Sequence, residues 1–179
     1  MFTTNTERLL AYWRARRGDA PAPRRIDIDV ADFAALAPQV FIVEMCAGGD
    51  VRFRLAGEAI VALHGRSLRG ESLLALWTPE HRGRVSRLLT SALTAADPLV
   101  VLASGVAAAD GAEARLELLF APLFGPLGAL DRFLGLCQPG TSLAPSRVGQ
   151  LSIVAVNGVA DEARRARLRL AAIDGRRIA

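Results

Sequence analysis

Between Leu55 and Trp77 the chain reads LAGEAIVALHGRSLRGESLLALW, with glycines at 57, 65 and 70, a histidine at 64 and serines at 67 and 72. Glycine turns beside Arg, Ser and His raise three kinds of chemistry: phosphate binding, nucleophilic catalysis and metal or heme ligation. A phosphate-binding loop needs Gly, four residues, then Gly-Lys-Ser/Thr, because backbone N–H groups cradle the phosphates while the lysine reaches them. Here Ile60 stands where the first glycine belongs, and Arg66 replaces the lysine. No strand leads directly into the turn and no long helix starts from it. The dinucleotide fingerprint fails as well, because the glycine spacing is wrong and no βαβ unit surrounds it. No Gly-x-Ser-x-Gly elbow occurs. Ser67 and Ser72 lie close to His64 in sequence, but short hydroxyl side chains in such a stretch suit turns and caps. Carboxylates are scattered, with no evident acid/base pair.

Metal ligation finds little support either. There are two cysteines, Cys46 and Cys137, and two histidines, His64 and His81, with no ligand-like spacing among them. Both cysteines fall in apolar, strand-like segments and read as buried reduced thiols. His64 reads as a turn residue. His81 reads as an exposed residue in the first turn of a helix. These assignments make heme a weak option.

The elements that must position these residues belong to a chain of 179 residues, 51% hydrophobic and 22% charged. That is a globular composition with enough length for a real core. The most apolar regions are broken by Asp97-Pro98 and by Pro122 and Pro126, so none reaches the roughly 18 to 20 residues of a membrane span. The start carries no secretory pattern, and the cytoplasm is the default expectation. All 22 basic residues are arginine, and the net charge is +4. Residues 1–25 hold six arginines against Glu7 and Asp19, and residues 161–179 hold six against Asp161, Glu162 and Asp174. The middle is mildly acidic. Arginine-rich ends admit a nucleic-acid-binding regulator as a rival reading, with Arg164, Arg165, Arg167 and Arg169 as its contacts. Neither end interleaves aromatics with the basic residues apart from Tyr12 and Trp13, so nucleic acid is the less favoured partner. A small enzyme is the second rival, and it lacks a recognisable constellation.

Along the chain, Thr4 and Glu7 have capping-box spacing for a first helix, whose apolar stripe is Leu9, Leu10 and Trp13 with Tyr12 alongside, and Gly18 stops it. GDAPAPRR is a linker, and DVADFAALAPQ reads as a short helix starting at Asp29 or Asp32 and ending before Pro38. VFIVEM and VRFRL are strands joined by CAGGD, with Val51, Phe53 and Leu55 on one face. Short helices follow over Glu58 to Leu63 and Ser72 to Trp77. Thr78, Pro79 and Glu80 then open a longer helix with its stripe at Val85, Leu88, Leu89, Ala92 and Leu93. Three strands come next: PLVVLASGVAA; RLELLFAPL, with Leu116, Leu118 and Phe120 opposed to Arg115 and Glu117; and DRFLGLCQP. LSIVAV is a candidate further strand, and ADEARRARLRLAAIDGRR reads as a basic helix.

This order of elements resembles the PAS domain family. The resemblance is carried by FRLAGEAIVALHGRSLRGESLLALWTPEHRGRV, by ASGVAAADGAEARLELLFAPL with its DG hairpin, and by DRFLGL, and it spans roughly residues 38 to 140. Upstream, LLAYWRARRG and PRRIDIDVADFAALAPQVFIVE look like the small stand-alone PAS proteins of alphaproteobacteria. The resemblance implies an α+β fold: a five-stranded antiparallel sheet with short helices and one longer helix on one face, plus an N-terminal flanking helix. The expected divisions are 1–25 for flanking helix and linker, 26–140 for the PAS-like domain, and 141–179 for an extension with an extra strand and basic helix. Gly65 and Gly70 then serve sharp turns with positive φ.

Apolar periodicity within the matching region places Leu63, Leu74, Trp77, Leu88 and Phe120 in a pocket between helices and sheet, for a small apolar ligand or for side chains alone. The light-sensing branch of the family carries Asn-Cys-Arg on a central helix. Nothing like it lies between Gly57 and Leu93, so flavin is not supported and no cofactor is expected. The expected function is a non-catalytic sensory or interaction module acting through a signalling partner. In the family the flanking helix often mediates dimers, which makes Leu9, Leu10 and Trp13 the expected homodimer contacts.

Overall fold

The computed structural model describes residues 2–140 and 147–158. Its centre is a six-stranded antiparallel sheet in the order β2-β1-β5-β4-β3-β6. The strands are β1 Val40–Met45, β2 Val51–Ala56, β3 Leu99–Val106, β4 Glu113–Phe124, β5 Leu130–Pro139 and β6 Ser152–Gly158. The sixth strand is LSIVAV, which pairs along β3 and so belongs to the same sheet as the five expected strands. The helices are α1 Thr4–Arg17, α2 Glu58–His64 and α3 Pro79–Ala95, with tight 3-10 turns between them. None of these helices is long and apolar enough to cross a membrane. The basic helix expected over 161–179 lies outside the described residues.

Strict alternation gives the sheet two apolar faces, each with its own core. Phe41, Val43, Val101, Leu116, Leu118, Phe120 and Phe133 point to the inner face, where they meet Ile60, Trp77, Val85 and Leu89 of the helical layer. Val40, Ile42, Val100, Leu119, Ala121 and Leu134 point outward and are covered by Leu9, Leu10, Trp13, Phe33 and Leu36. A helix of 14 residues is marginal alone in water, so α1 owes its persistence to this docking. Burying two leucines and a tryptophan contributes on the order of 5 kcal/mol.

The start of α1 differs from the capping-box reading. Thr3, not Thr4, is the cap, and its hydroxyl accepts from Thr6 N. A tertiary contact selects it: Thr3 N donates to Glu117 Oε1 at 3.1 Å, and its Oγ1 donates to the same oxygen at 2.7 Å. Glu117, placed by alternation opposite Leu116, Leu118 and Phe120, is buried beneath the positive end of the α1 dipole. Gly18 ends the helix at φ 55.

Residues Val30–Gln39 form 3-10 structure broken at Phe33, with Pro38 inside it rather than beyond it. Asp29 caps this segment by accepting from Ala31 N at 2.9 Å. Leu55 also departs from expectation and is exposed. In the β1–β2 ladder Ile42 faces Leu55 and Val43 faces Phe53, leaving Arg54 with no residue opposite it in the ladder. This β-bulge reverses the facing of whatever follows it.

Candidate functional site

The stretch from Gly57 to Trp77 is laid across the inner face. Gly57 precedes α2 where a Cβ would strike the Pro38 carbonyl, and its N–H donates to Val40 O at 2.8 Å. Gly65 and Gly70 have φ of 65 and 82, the left-handed turns expected of them. Ser72 caps the next 3-10 turn: its Oγ accepts from Leu74 N at 3.2 Å and donates to Asp50 Oδ1 at 2.5 Å. Ser67 is exposed. Ser72 is thus engaged as a cap.

Under this stretch lies a cavity of about 20 Å³, room for one water-sized molecule. The sheet contributes Phe41, Phe53, Leu116, Leu118 and Cys137 to its wall. The helical layer contributes Ile60 and His64 from α2, then Leu73, Leu76 and Trp77. Leu151 also lines it, held by its N–H donating to Leu76 O at 2.8 Å and by Thr78 N donating to its carbonyl at 2.9 Å. Burial, with a smaller push from Arg66, lowers the His64 pKa to about 4, so its ring is neutral at pH 7. Burial alone pushes the Cys137 thiol up to about 12, which leaves it protonated and unreactive. The Trp77 indole Nε1 is buried without any hydrogen-bond partner among the described residues. Trp13, by contrast, donates its Nε1–H to Pro122 O at 2.7 Å.

Of the expected pocket residues, only Trp77 lines this cavity. Phe120 is fully buried in the same core, edge-on to Phe41 at 5.5 Å and Phe133 at 6.0 Å. Leu63, Leu74 and Leu88 are half-buried at the rim of that core. The reason is local phase: on a short helix or 3-10 turn the inward positions fall at Ile60, His64, Leu73 and Leu76. The strand residues were findable, since Phe53, Leu116 and Leu118 all lie on inward-alternating positions.

The expected dimer contacts are placed differently. Leu9, Leu10 and Trp13 are buried on the chain's own sheet, because the outer face offers them a continuous apolar surface. A second copy would have to displace that packing to reach them. Two of the six N-terminal arginines are engaged too: Arg16 pairs with Asp32, and the Arg17 guanidinium stands 5.3 Å from the Trp13 ring centre. The contacts proposed at Arg164, Arg165, Arg167 and Arg169 lie outside the described residues.

Other groups have structural occupations. Glu44 is held by Arg54 at 2.6 Å and Arg132 at 3.0 Å. The Arg54 hydrogen bond, followed by the charge of Arg132, keeps its carboxyl below the usual range. A carboxylate so held is a poor proton donor near neutrality. Cys46, expected buried, is half-buried beside the β1–β2 turn. His81 Nδ1 stands 3.0 Å from Thr78 Oγ1 at the start of α3. Among the described residues no group of His, Cys, Asp or Glu could hold a metal ion. The cavity does not fit a flavin or a heme: it is more than tenfold smaller than the roughly 300 Å³ at which small-molecule pockets begin.

The sequence profile of the PAS domain matches residues 1–138. That match includes α1 as well as the first five strands. No curated protein matches the chain. Among solved structures, one from a study of light-oxygen-voltage domain mechanism with a flavin analogue shares 16% identity over 81% of this chain and 94% of its own, at a TM-score of 0.46. The Rhodobacter sphaeroides LOV protein shares 19% identity over 64% of this chain and 70% of its own, at 0.46. A PAS domain from Colwellia psychrerythraea shares 18% over 63% of this chain and 98% of its own, at 0.45. These likenesses are distant, and the functional reading rests on the profile match and on the chain's own geometry.

Proposed function

The chain belongs to the PAS domain family, and from that premise we propose that it is a non-catalytic sensory module whose inner-face cavity responds to a small uncharged molecule. The observation that carries the reading is the cavity wall. It joins four strands to α2 and to the Ser72–Trp77 turn, and among its side chains only His64 and Trp77 offer nitrogen and only Cys137 a thiol. A wall without carboxylate or guanidinium supports an uncharged ligand, since an unpaired buried charge is strongly disfavoured. The movable part of the wall is the helical side. α2 has seven residues and the following turn four, both too short to persist without tertiary packing. Output passes to a signalling partner through the sheet and the terminal segments.

The test is a thermal-shift screen of small uncharged compounds, combined with a visible absorption spectrum of the purified full chain. A ligand at a hundred times its Kd should stabilise the fold by about 2.7 kcal/mol, raising Tm by several degrees. A visible absorption band would overturn the reading in favour of a chromophore. A screen in which no compound raises Tm would overturn the ligand-sensing role.

A further inference from the structure

We propose that the Trp77 indole N–H is the recognition donor of the cavity, so that the ligand is a small neutral molecule bearing a hydrogen-bond acceptor on an apolar body. The inference deepens the reading above and rests on it. Two independent observations meet at one residue. Trp77 lines the cavity, and its side chain is wholly buried. Its Nε1 has no acceptor among the described residues.

Buried indole N–H groups are ordinarily paired, and one left alone is a standing cost in the folded state. The same chain satisfies its other tryptophan through Pro122 O. A ligand oxygen reaching Trp77 would therefore relieve that cost. The donor is buried, so a bond to it contributes more to binding than a bond to an exposed donor.

The rest of the wall sets the body of the ligand. Phe41, Phe53, Leu116 and Leu118 are apolar, so polar groups beyond the single acceptor would go unpaired. His64 stays neutral under ordinary conditions and adds no charge to attract an anion. Cys137, held as a thiol, is no nucleophile toward the guest. The undistorted cavity has room for one water-sized molecule only, so any larger guest, the probes below included, enters by displacing α2 or the Ser72–Trp77 turn.

The probes are cyclopentanone and methylenecyclopentane, which share a shape but differ in having a carbonyl oxygen or a CH2 group. The full chain is labelled with 15N in its indole rings, giving one Nε1–H resonance each for Trp13 and Trp77. Trp13 is the internal reference. Titration with cyclopentanone should move the Trp77 resonance downfield and leave that of Trp13 in place. The ketone should bind about tenfold tighter than the hydrocarbon, the size of one hydrogen bond to a buried donor. Trp77→Phe keeps an aromatic ring and removes the donor, so it should erase that preference. If that variant does not fold, the wild-type titrations still decide the matter. Equal affinities with an unmoved Trp77 resonance would overturn the donor role while leaving cavity binding intact. No binding of either probe would overturn both the donor role and the ligand-sensing reading.

Discussion

Gly135 and Phe41 offer a direct test of the inner core. Gly135 on β5 sits in register between Phe41 on β1 and Phe120 on β4. Strands two places apart are nearly 10 Å apart, yet the two rings meet at 5.5 Å between centres. They do so by leaning over the glycine. A Cβ at Gly135 would overlap the Phe41 ring, with Cδ2 at 2.6 Å and other ring atoms closer still. Phe41 cannot swing freely away, because Phe53 meets it edge-on at 5.8 Å and it is almost wholly buried.

Gly135→Ala is therefore an overpacking change, expected to cost about 3 kcal/mol. Its φ is not positive, so alanine suits the backbone. In an unobstructed strand the same change would stabilise by about 0.5 to 1 kcal/mol. The sign thus depends on the ring alone. Phe41→Leu by itself should cost about 2 kcal/mol through lost burial and a cavity. In the double variant the added methyl occupies part of the space the ring vacates, so Gly135→Ala should become neutral or stabilising there, a coupling above 1 kcal/mol. Urea unfolding of the four proteins measures this. The reasoning is refuted if Gly135→Ala costs less than about 0.5 kcal/mol in the parent, or costs the same in both backgrounds.

Three further outcomes follow from the structure. Thr3→Ala removes both the helix cap and a hydroxyl donor to buried Glu117, and should lower stability by about 1 to 2 kcal/mol in urea unfolding; a loss below about 0.3 kcal/mol would show that the contact is idle. His64 has a folded-state pKa depressed to about 4 from 6.5, so the unfolded chain binds its proton first. Stability from this group is complete above about pH 6.5 and falls as pH drops toward 4, and His64→Gln should flatten that part of the stability profile. An unchanged slope would mean His64 is solvated in the native state. Deleting residues 1–18 uncovers the outer face around Ile42, Leu119 and Leu134. The truncated chain should aggregate or unfold in sedimentation and circular dichroism; a folded, monomeric truncation with unaltered Tm would show that the outer face does not need α1.

Much of this architecture is legible from local pattern. β1 and α3 follow from an apolar β-branched run and from a Pro-initiated amphipathic stretch. Gly65 and Gly70 announce their turns because only glycine takes those backbone angles without strain. Features set by distant partners are hidden. Glu117 looks like the polar half of an alternating strand until Thr3 arrives from 114 residues away. Leu55 looks inward until a bulge in the β1–β2 ladder reverses it. The pocket was legible as a region but not by residue. Trp77 and the inward strand positions carry the right pattern, whereas α2 and the 3-10 turns are too short for a period to fix which side faces in.

The two tryptophans mark a contrast between the faces of the sheet. On the outer face Trp13 is bonded to Pro122 O, Glu117 accepts from Thr3, and Gln138 accepts from Asn5 and donates to Gln39. Each bond ties α1 or the Val30–Gln39 segment to a strand, so this face is a fixed support. On the inner face Trp77 Nε1 has no acceptor among the described residues, Trp77 lines a cavity, and two of the overlying elements have only seven and four residues. Local rules of packing and pairing are kept where the fold needs only stability. Trp77 Nε1 departs from them beside a cavity, while Asp131 Oδ1 and Arg132 Nε are also buried without a hydrogen bond among the described residues. On the proposed reading the two layers do different work: α1 holds the sheet, and the layer over Trp77 is the part that moves when a guest binds.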